Sequence, residues 1–183
     1  CLVNEFVIVS ILVKIIKLSP RRSMSTPSLT HTGIKTSTQI LKVNPSEAPE
    51  FIDITEEVSD CITQSDVNFG FVLVFSRHTT AGITIQENEP LLLQDMKQLL
   101  ENFAPKDLDY RHNDFSVRTV NMHDDECPNG HSHCQQLMIG SSETIPVVDA
   151  KLSLGQWQRI FMVELDGERR VSNREITIQI LGV

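Results

Sequence analysis

Basic side chains are in short supply in this sequence. Sixteen Lys and Arg stand against 24 Asp and Glu, a formal net charge of −8. That balance opposes binding to phosphate backbones, which depends on clustered Lys and Arg, so nucleic acid is not an expected partner. Cysteine is also sparse. Cys1, Cys61, Cys127 and Cys134 are too few and too scattered for a disulfide scaffold, and reduced thiols in a cytoplasmic compartment are expected. Long apolar runs are missing too. The segment FVIVSILVKIIKL (6–18) is broken by Lys14 and Lys17 and falls short of the ~20 residues that span a bilayer. Glu5 precedes it and Arg21 and Arg22 follow it, the reverse of a signal peptide's charge order, so no membrane partner is expected. Residues 1–23 are read as an upstream extension, with initiation at Met24. The chain contains no G-x-x-x-x-G-K-[ST] phosphate loop, no G-x-S-x-G elbow and no H-E-x-x-H helix, and those reaction classes recede with them.

What is present suits one domain that starts near residue 36, after a polar arm, and runs to residue 183. STQILKV (37–43) and FIDIT (51–55) have strand character, and NPSEAPE between them is rich in turn formers. In TEEVSDCITQSD, Thr55 is the expected helix cap and Val58, Cys61 and Ile62 share a face, which makes Cys61 a small buried hydrophobe. GFVLVF (70–75) has the continuous apolar pattern of a strand buried on both sides, and GITIQ (82–86) is a second short strand. NEPLLLQDMKQLLENF is the clearest helix. Asn88 or Glu89 can cap it, Pro90 suits its first turn, and Leu92, Met96, Leu99, Leu100 and Phe103 form a stripe expected to be core. Residues 104–136 lack a period, and strands are expected around QLMIG, TIPVVD, QWQRIFMVELD and EITIQILGV. No βαβα alternation is seen. The expected fold class is α+β: a compact β-rich domain with mixed or antiparallel sheet and two main helices.

Chemistry concentrates in three segments. CPNGHSHC (127–134) crowds two cysteines and two histidines into eight positions. Structural zinc sites draw on well-separated ligand pairs, so these four side chains do not surround one ion by themselves. If residues 131–135 are extended, His131 and His133 share a face and Cys134 points away. The segment can then lend an imidazole to a site completed by His112 of YRHND and by His78 of SRHTTAG, or the histidines are separate solvated side chains. Three imidazoles with an open position would suit zinc or a similar ion. The hydroxyls and small residues of RHTTAG form either a phosphate cradle or a turn. Glu87 can orient an imidazole or act as a base, and His123, among acids in NMHDDE, is expected at the surface.

The segments HTTAGITIQEN, YRHND, NGHSHCQQLMIGSSETIPV and LSLGQWQRIFMVELDG, with the β-rich tail, resemble in this order the YjbQ family, also called the secondary thiamine-phosphate synthase family. The stretch NDFSVRTVNMHDDECPNGHSHC is similar to its eukaryotic branch. The resemblance covers about residues 36–182 and implies a compact α+β homotrimer with a metal- or anion-binding pocket for a small phosphorylated metabolite. It implies that His78, His112 and His133 hold a divalent ion, zinc or magnesium. It assigns substrate or phosphate contacts to Thr79, Thr80 and Asn129, and catalytic roles to Glu87 and His78. The implied reaction condenses an aminopyrimidine diphosphate with a thiazole phosphate. Metal-dependent hydrolysis of a small phosphorylated or ester metabolite, or a non-catalytic trimer that binds a metal or anion, are the alternatives. A trimer would also account for the large or apolar side chains on both faces of QWQRIFMVELD, with Trp157, Phe161, Val163 and Leu165 on one and Ile160 and Met162 on the other.

Overall fold

A computed structural model describes residues 33–167 and 173–183. The expected extension before Met24, most of the polar arm, and Arg169 and Arg170 lie outside them. The class is α+β, as expected, and every strand pair in it is antiparallel. In chain order the strands are β1 (Lys35–Val43), β2 (Glu50–Asp53), β3 (Phe69–Ser76), β4 (Ala81–Gln86), β5 (Ser142–Val148), β6 (Lys151–Leu152), β7 (Arg159–Glu164) and β8 (Arg174–Gly182). Among the described residues the α-helices are α1 (Thr55–Ser65), α2 (Pro90–Phe103) and α3 (Gly130–Ile139), one more than expected. A five-stranded sheet runs β1-β8-β3-β5-β6, and a three-stranded sheet runs β2-β7-β4.

Alternation fixes which faces meet. In β8, Ile176, Ile178 and Ile180 are fully buried while Thr177 and Gln179 turn away, as a period of two dictates. Together with Val72, Val74, Ile145 and Val147 they form one wall of the main core; Ile83, Ile160 and Met162 from the small sheet, and Val58 and Ile62 from α1, complete it. The opposite face of β7 carries Phe161 and Val163, which join Leu165 and Leu100 of α2 in a second cluster. The two-sided pattern of QWQRIFMVELD is thus satisfied within one chain, because β7 is the middle strand of a sheet sandwiched between two layers. It therefore carries no information about assembly. Trp157 precedes the strand and is largely exposed.

Several local expectations change. In GFVLVF only Val72 and Val74 are buried; Phe71 and Phe75 are 42% and 40% exposed, since no element among the described residues covers the outer face of the large sheet. Of the α2 stripe only Leu100 is fully buried, and Leu99 and Phe103 are exposed. Glu89 does cap α2, accepting from the Leu91 and Leu92 N–H groups at 3.0 and 2.7 Å. Thr55 is no cap. Its hydroxyl donates to Asp53 at 2.6 Å and accepts the Ile160 N–H at 2.8 Å, tying the start of α1 to β7. Cys61 is buried, as its helical position requires, and its thiol donates to Gln39. Among the described residues no helix is long and apolar enough to cross a membrane.

Among the described residues Phe161 is the largest fully buried side chain, and it bridges the middle strand to α2. Truncation to Ala should cost about 3–5 kcal/mol by combining lost burial with a cavity. Trp157→Ala should cost under about 0.5 kcal/mol, as for an exposed substitution. Urea unfolding of the two variants measures the contrast, and equal midpoints would contradict this account of the core.

Candidate functional site

The segment CPNGHSHC does not run extended. Asn129 stands at the N-terminus of α3, and residues 130–139 are helical, so QLMI belongs to that helix and the strand begins after Gly140. The expected sharing of a face by His131 and His133 fails for that reason. Two residues on a helix differ by about 200° in direction, whereas two on a strand point the same way. His131 is buried against Tyr110, and His133 lines a cavity of about 300 Å³.

That cavity is made where YRHND meets NGHSH. Residues Arg111–Asn113 form a 3₁₀ turn, and the Asn113 side-chain oxygen accepts the Gly130 N–H at 2.9 Å, capping α3 from a distant segment. Gly130 permits the approach: a Cβ there would stand 2.6 Å from the Tyr110 Cβ. The docking brings the rings of His112 and His133 edge to face, with centroids 4.6 Å apart. In the same lining, Asn129 donates its side-chain N–H to Asp166 Oδ2 at 2.9 Å. A carboxylate can only accept, so this bond also fixes the orientation of the Asn129 amide. Thr79 and Thr80, from the β3–β4 turn, also line the cavity.

Asp166 had no place in the sequence-based site, and it is 4% exposed. Its backbone is set by Glu164, whose Oε1 accepts the N–H groups of Leu165 and Asp166 at 3.0 and 2.8 Å. Glu164 is itself paired with Arg174, through both Nε and Nη2, and both residues are buried. FMVELDG carried a signal for Glu164 alone: a carboxylate ending a strand with apolar residues on both faces requires a buried partner, whereas Asp166 lies past the strand end. Arg118 was missed as well. Its guanidinium donates to the Val120 and Asn121 carbonyls and pairs with Glu126 at 3.1 Å, so it pins the loop over the cavity. His123, expected at the surface, is exposed yet lines the same cavity, as does Cys127.

The three imidazoles are not brought together. His78 Nε2 accepts the Glu175 N–H at 2.8 Å, and His78 is absent from the cavity lining. Glu87 is exposed past the far end of β4, about 20 Å along the strand from Thr80. The donors that do meet, two imidazoles and a carboxylate, are of a kind that suits zinc better than magnesium. His112 Nε2, Asn129 Oδ1 and Asp166 Oδ1 are buried without a protein partner. Even so, among the described residues no three His, Cys, Asp or Glu side chains are close enough to grip an ion. As arranged, they do not form a metal cage.

Two partly buried histidines, His78 and His133, are biased toward the neutral ring. Burial, then the Arg174 charge, pushes the His78 pKa below the ordinary imidazole range, outweighing Glu164 and Glu175. Burial, then His112, does the same to His133 against the pull of Asp166. A group whose pKa is lower folded than unfolded binds fewer protons in the native state, so its contribution is intact above about pH 6.5 and is lost as pH falls below it. Melting temperature should therefore decline between pH 7 and pH 5. His78→Gln, whose amide oxygen can still accept the Glu175 N–H, should make that decline shallower. Calorimetry across the window checks it, and an unchanged slope would count against the assignment.

The family description "UPF0047 protein YjbQ-like" matches residues 39–183. A UPF0047 protein of Methanothermobacter thermautotrophicus is 39% identical over 145 residues, spanning 79% of this chain and 92% of its own length. The UPF0047 protein YugU of Bacillus subtilis is 32% identical over 145 residues, spanning 78% and 97%. Among solved structures, a YbjQ-like protein of unknown function from Sulfolobus solfataricus superposes with a TM-score of 0.72 at 32% identity, over 82% of this chain and 100% of that one. A hypothetical protein from Aeropyrum pernix gives a TM-score of 0.69 at 31% identity, over 80% and 99%. These relatives are archaeal and bacterial, so the eukaryotic-type reading rests on the loop sequence alone. With the family pattern matched from β1 to the last residue and relatives this similar over most of their length, the chain belongs to the YjbQ (UPF0047) family.

Proposed function

We propose that the chain is an enzyme acting on a small phosphorylated metabolite in the cavity between His112, His133 and Asp166, and that its reaction is a thiamine-phosphate-forming transfer. The observation that carries the site is the set of buried atoms without a protein partner, His112 Nε2, Asn129 Oδ1 and Asp166 Oδ1, all on residues that line one cavity. Leaving such a group unpaired costs about 1–3 kcal/mol, a cost that a ligand can offset. The two oxygens are acceptors and call for an N–H or O–H donor, as an aminopyrimidine provides. The Thr79 and Thr80 hydroxyls are donors and suit phosphate oxygens. In the transfer, the C–O bond to the diphosphate breaks, a C–N bond to the thiazole nitrogen forms, and pyrophosphate leaves. Asp166 and Asn129 orient the amine, and His112, whose Nε2 has no protein partner, supplies an N–H group where negative charge develops.

Metal-dependent hydrolysis is the second reading, favoured by the chemical kind of the donors at His112, His133 and Asp166. Asp166→Asn should lower the rate with an aminopyrimidine diphosphate and a thiazole phosphate by at least about 100-fold, the scale of one lost charge-stabilising contact. Trp157→Ala, far from the cavity lining, is the control. Wild-type rates in Asp166→Asn would rule out the proposed site. Hydrolysis of simple esters, with zinc at one ion per chain and no transfer, would select the second reading.

The same proposal includes a homotrimer whose subunits meet over the outer face of the large sheet, where Ile40, Phe71, Phe75 and Val148 are exposed together. Light scattering should give three times the mass of one chain, and Phe71→Glu with Phe75→Glu should give single chains. A monomeric wild type would refute it.

A further inference from the structure

The inner cavity has a deficit that its own residues do not meet. A phosphorylated substrate brings negative charge, yet the one guanidinium in the lining, Arg118, spends its Nε, Nη1 and Nη2 on Val120, Glu126 and Asn121. The carboxylate of Asp166 already lies at the start of α3, where a helix would otherwise favour an anion. A second anionic group, beyond the one the Thr79 and Thr80 hydroxyls can serve, is therefore better placed elsewhere.

A second, more open cavity of about 530 Å³ adjoins the first and shares His112, Arg118 and Asn121 with it. Its other walls are Arg111, Val117 and Val120. The valines are 64% and 70% exposed, an apolar surface that the chain leaves uncovered. Arg111 is exposed, and its side chain makes no ion pair or hydrogen bond among the described residues. An apolar wall with one unengaged guanidinium is the chemistry of a site for a flat apolar body carrying a phosphate. The backbone fixes the arrangement. Arg111 and His112 are neighbours on one 3₁₀ turn, and Arg118 holds the Val120–Asn121 turn, where Asn121 takes a left-handed φ of 52°.

We infer that the site has two parts, with a phosphorylated, ring-bearing substrate seated on Val117 and Val120 and its phosphate on Arg111, beside the reacting groups of the inner cavity. This rests on the reading that the inner cavity is where reaction occurs. It assigns the outer cavity to the second phosphorylated partner of the transfer, and Arg111 as the residue that selects for its charge.

The test uses benzyl phosphate, benzyl alcohol and inorganic phosphate as probes, followed by methyl NMR of Val117 and Val120 in the full chain. Benzyl phosphate should shift both valines and bind at least tenfold more tightly than either benzyl alcohol or phosphate. Arg111→Gln, an exposed substitution that should leave the fold intact, should weaken benzyl phosphate about tenfold and leave benzyl alcohol unchanged. Asp166→Asn should leave benzyl phosphate binding unchanged, which separates the outer part from the inner. Binding that shifts the inner cavity instead of the valines, indifference to Arg111→Gln, or no binding at 10 mM would each overturn the two-part site. None of these outcomes would touch the inner-site reading, which stands or falls on the Asp166→Asn rates.

Discussion

The buried pair of Glu164 and Arg174 is the contact on which the site's geometry depends. Glu164 ends β7 in the small sheet and Arg174 begins β8 in the large one, so the pair closes one end of the core between the two sheets. Removing water from two charges is costly, and their attraction alone need not repay it. Here the remaining capacity is used: Glu164 also accepts the Leu165 and Asp166 N–H groups, and Arg174 reaches the Thr80 hydroxyl at 3.3 Å. Losing one partner would leave the other charged and buried, which typically costs about 3–5 kcal/mol. The pair therefore fixes Asp166 and Thr80, both in the cavity lining, with respect to both sheets.

From that anchor a series of polar contacts reaches the cavity. Thr80 accepts the Leu165 N–H through its carbonyl, and the Leu165 carbonyl accepts the Ser132 hydroxyl at 2.6 Å, docking the first turn of α3. Gln135, one turn on and fully buried, donates to the Leu100 and Ala104 carbonyls at the end of α2. The start of α3 is therefore fixed by side chains, not by apolar packing, and His133 inherits its direction. On its other side the 3₁₀ turn caps α3 and presents His112. The result is two imidazoles and a carboxylate, drawn from three segments, around one small volume.

The polar lining also explains why the loop over the cavity holds a defined course without a regular element. Arg118 satisfies three acceptors in that loop, while Asn121 tolerates the left-handed conformation its turn requires. Exposed Val117 and Val120 flank the clip without taking part in a core. Such a loop is held by a few directional contacts and leaves its apolar side chains available for recognition.

The sequence by itself determined the elements whose side chains repeat with a clear period. Ile176, Ile178 and Ile180 alternate because one face of β8 is core; Glu89-Pro90 opens α2 because a carboxylate can cap and proline fits the first turn. The motif segments also marked His112, His133, Asn129, Thr79 and Thr80, which do line one cavity. What only the tertiary structure decided is direction and company. The period of CPNGHSHC is ambiguous in eight residues; capping by Asn113 from 17 positions away, with the docking of Ser132 and Gln135, sets residues from Gly130 on as a helix and separates His131 from His133. His78 shares a segment with Thr79 and Thr80 but is captured by the Glu175 backbone, 97 residues distant, while Glu87 leaves the site because an extended strand carries it away. Asp166 could not be singled out, because its role comes from burial beside Asn129, and burial of a single carboxylate is a property of the packed chain.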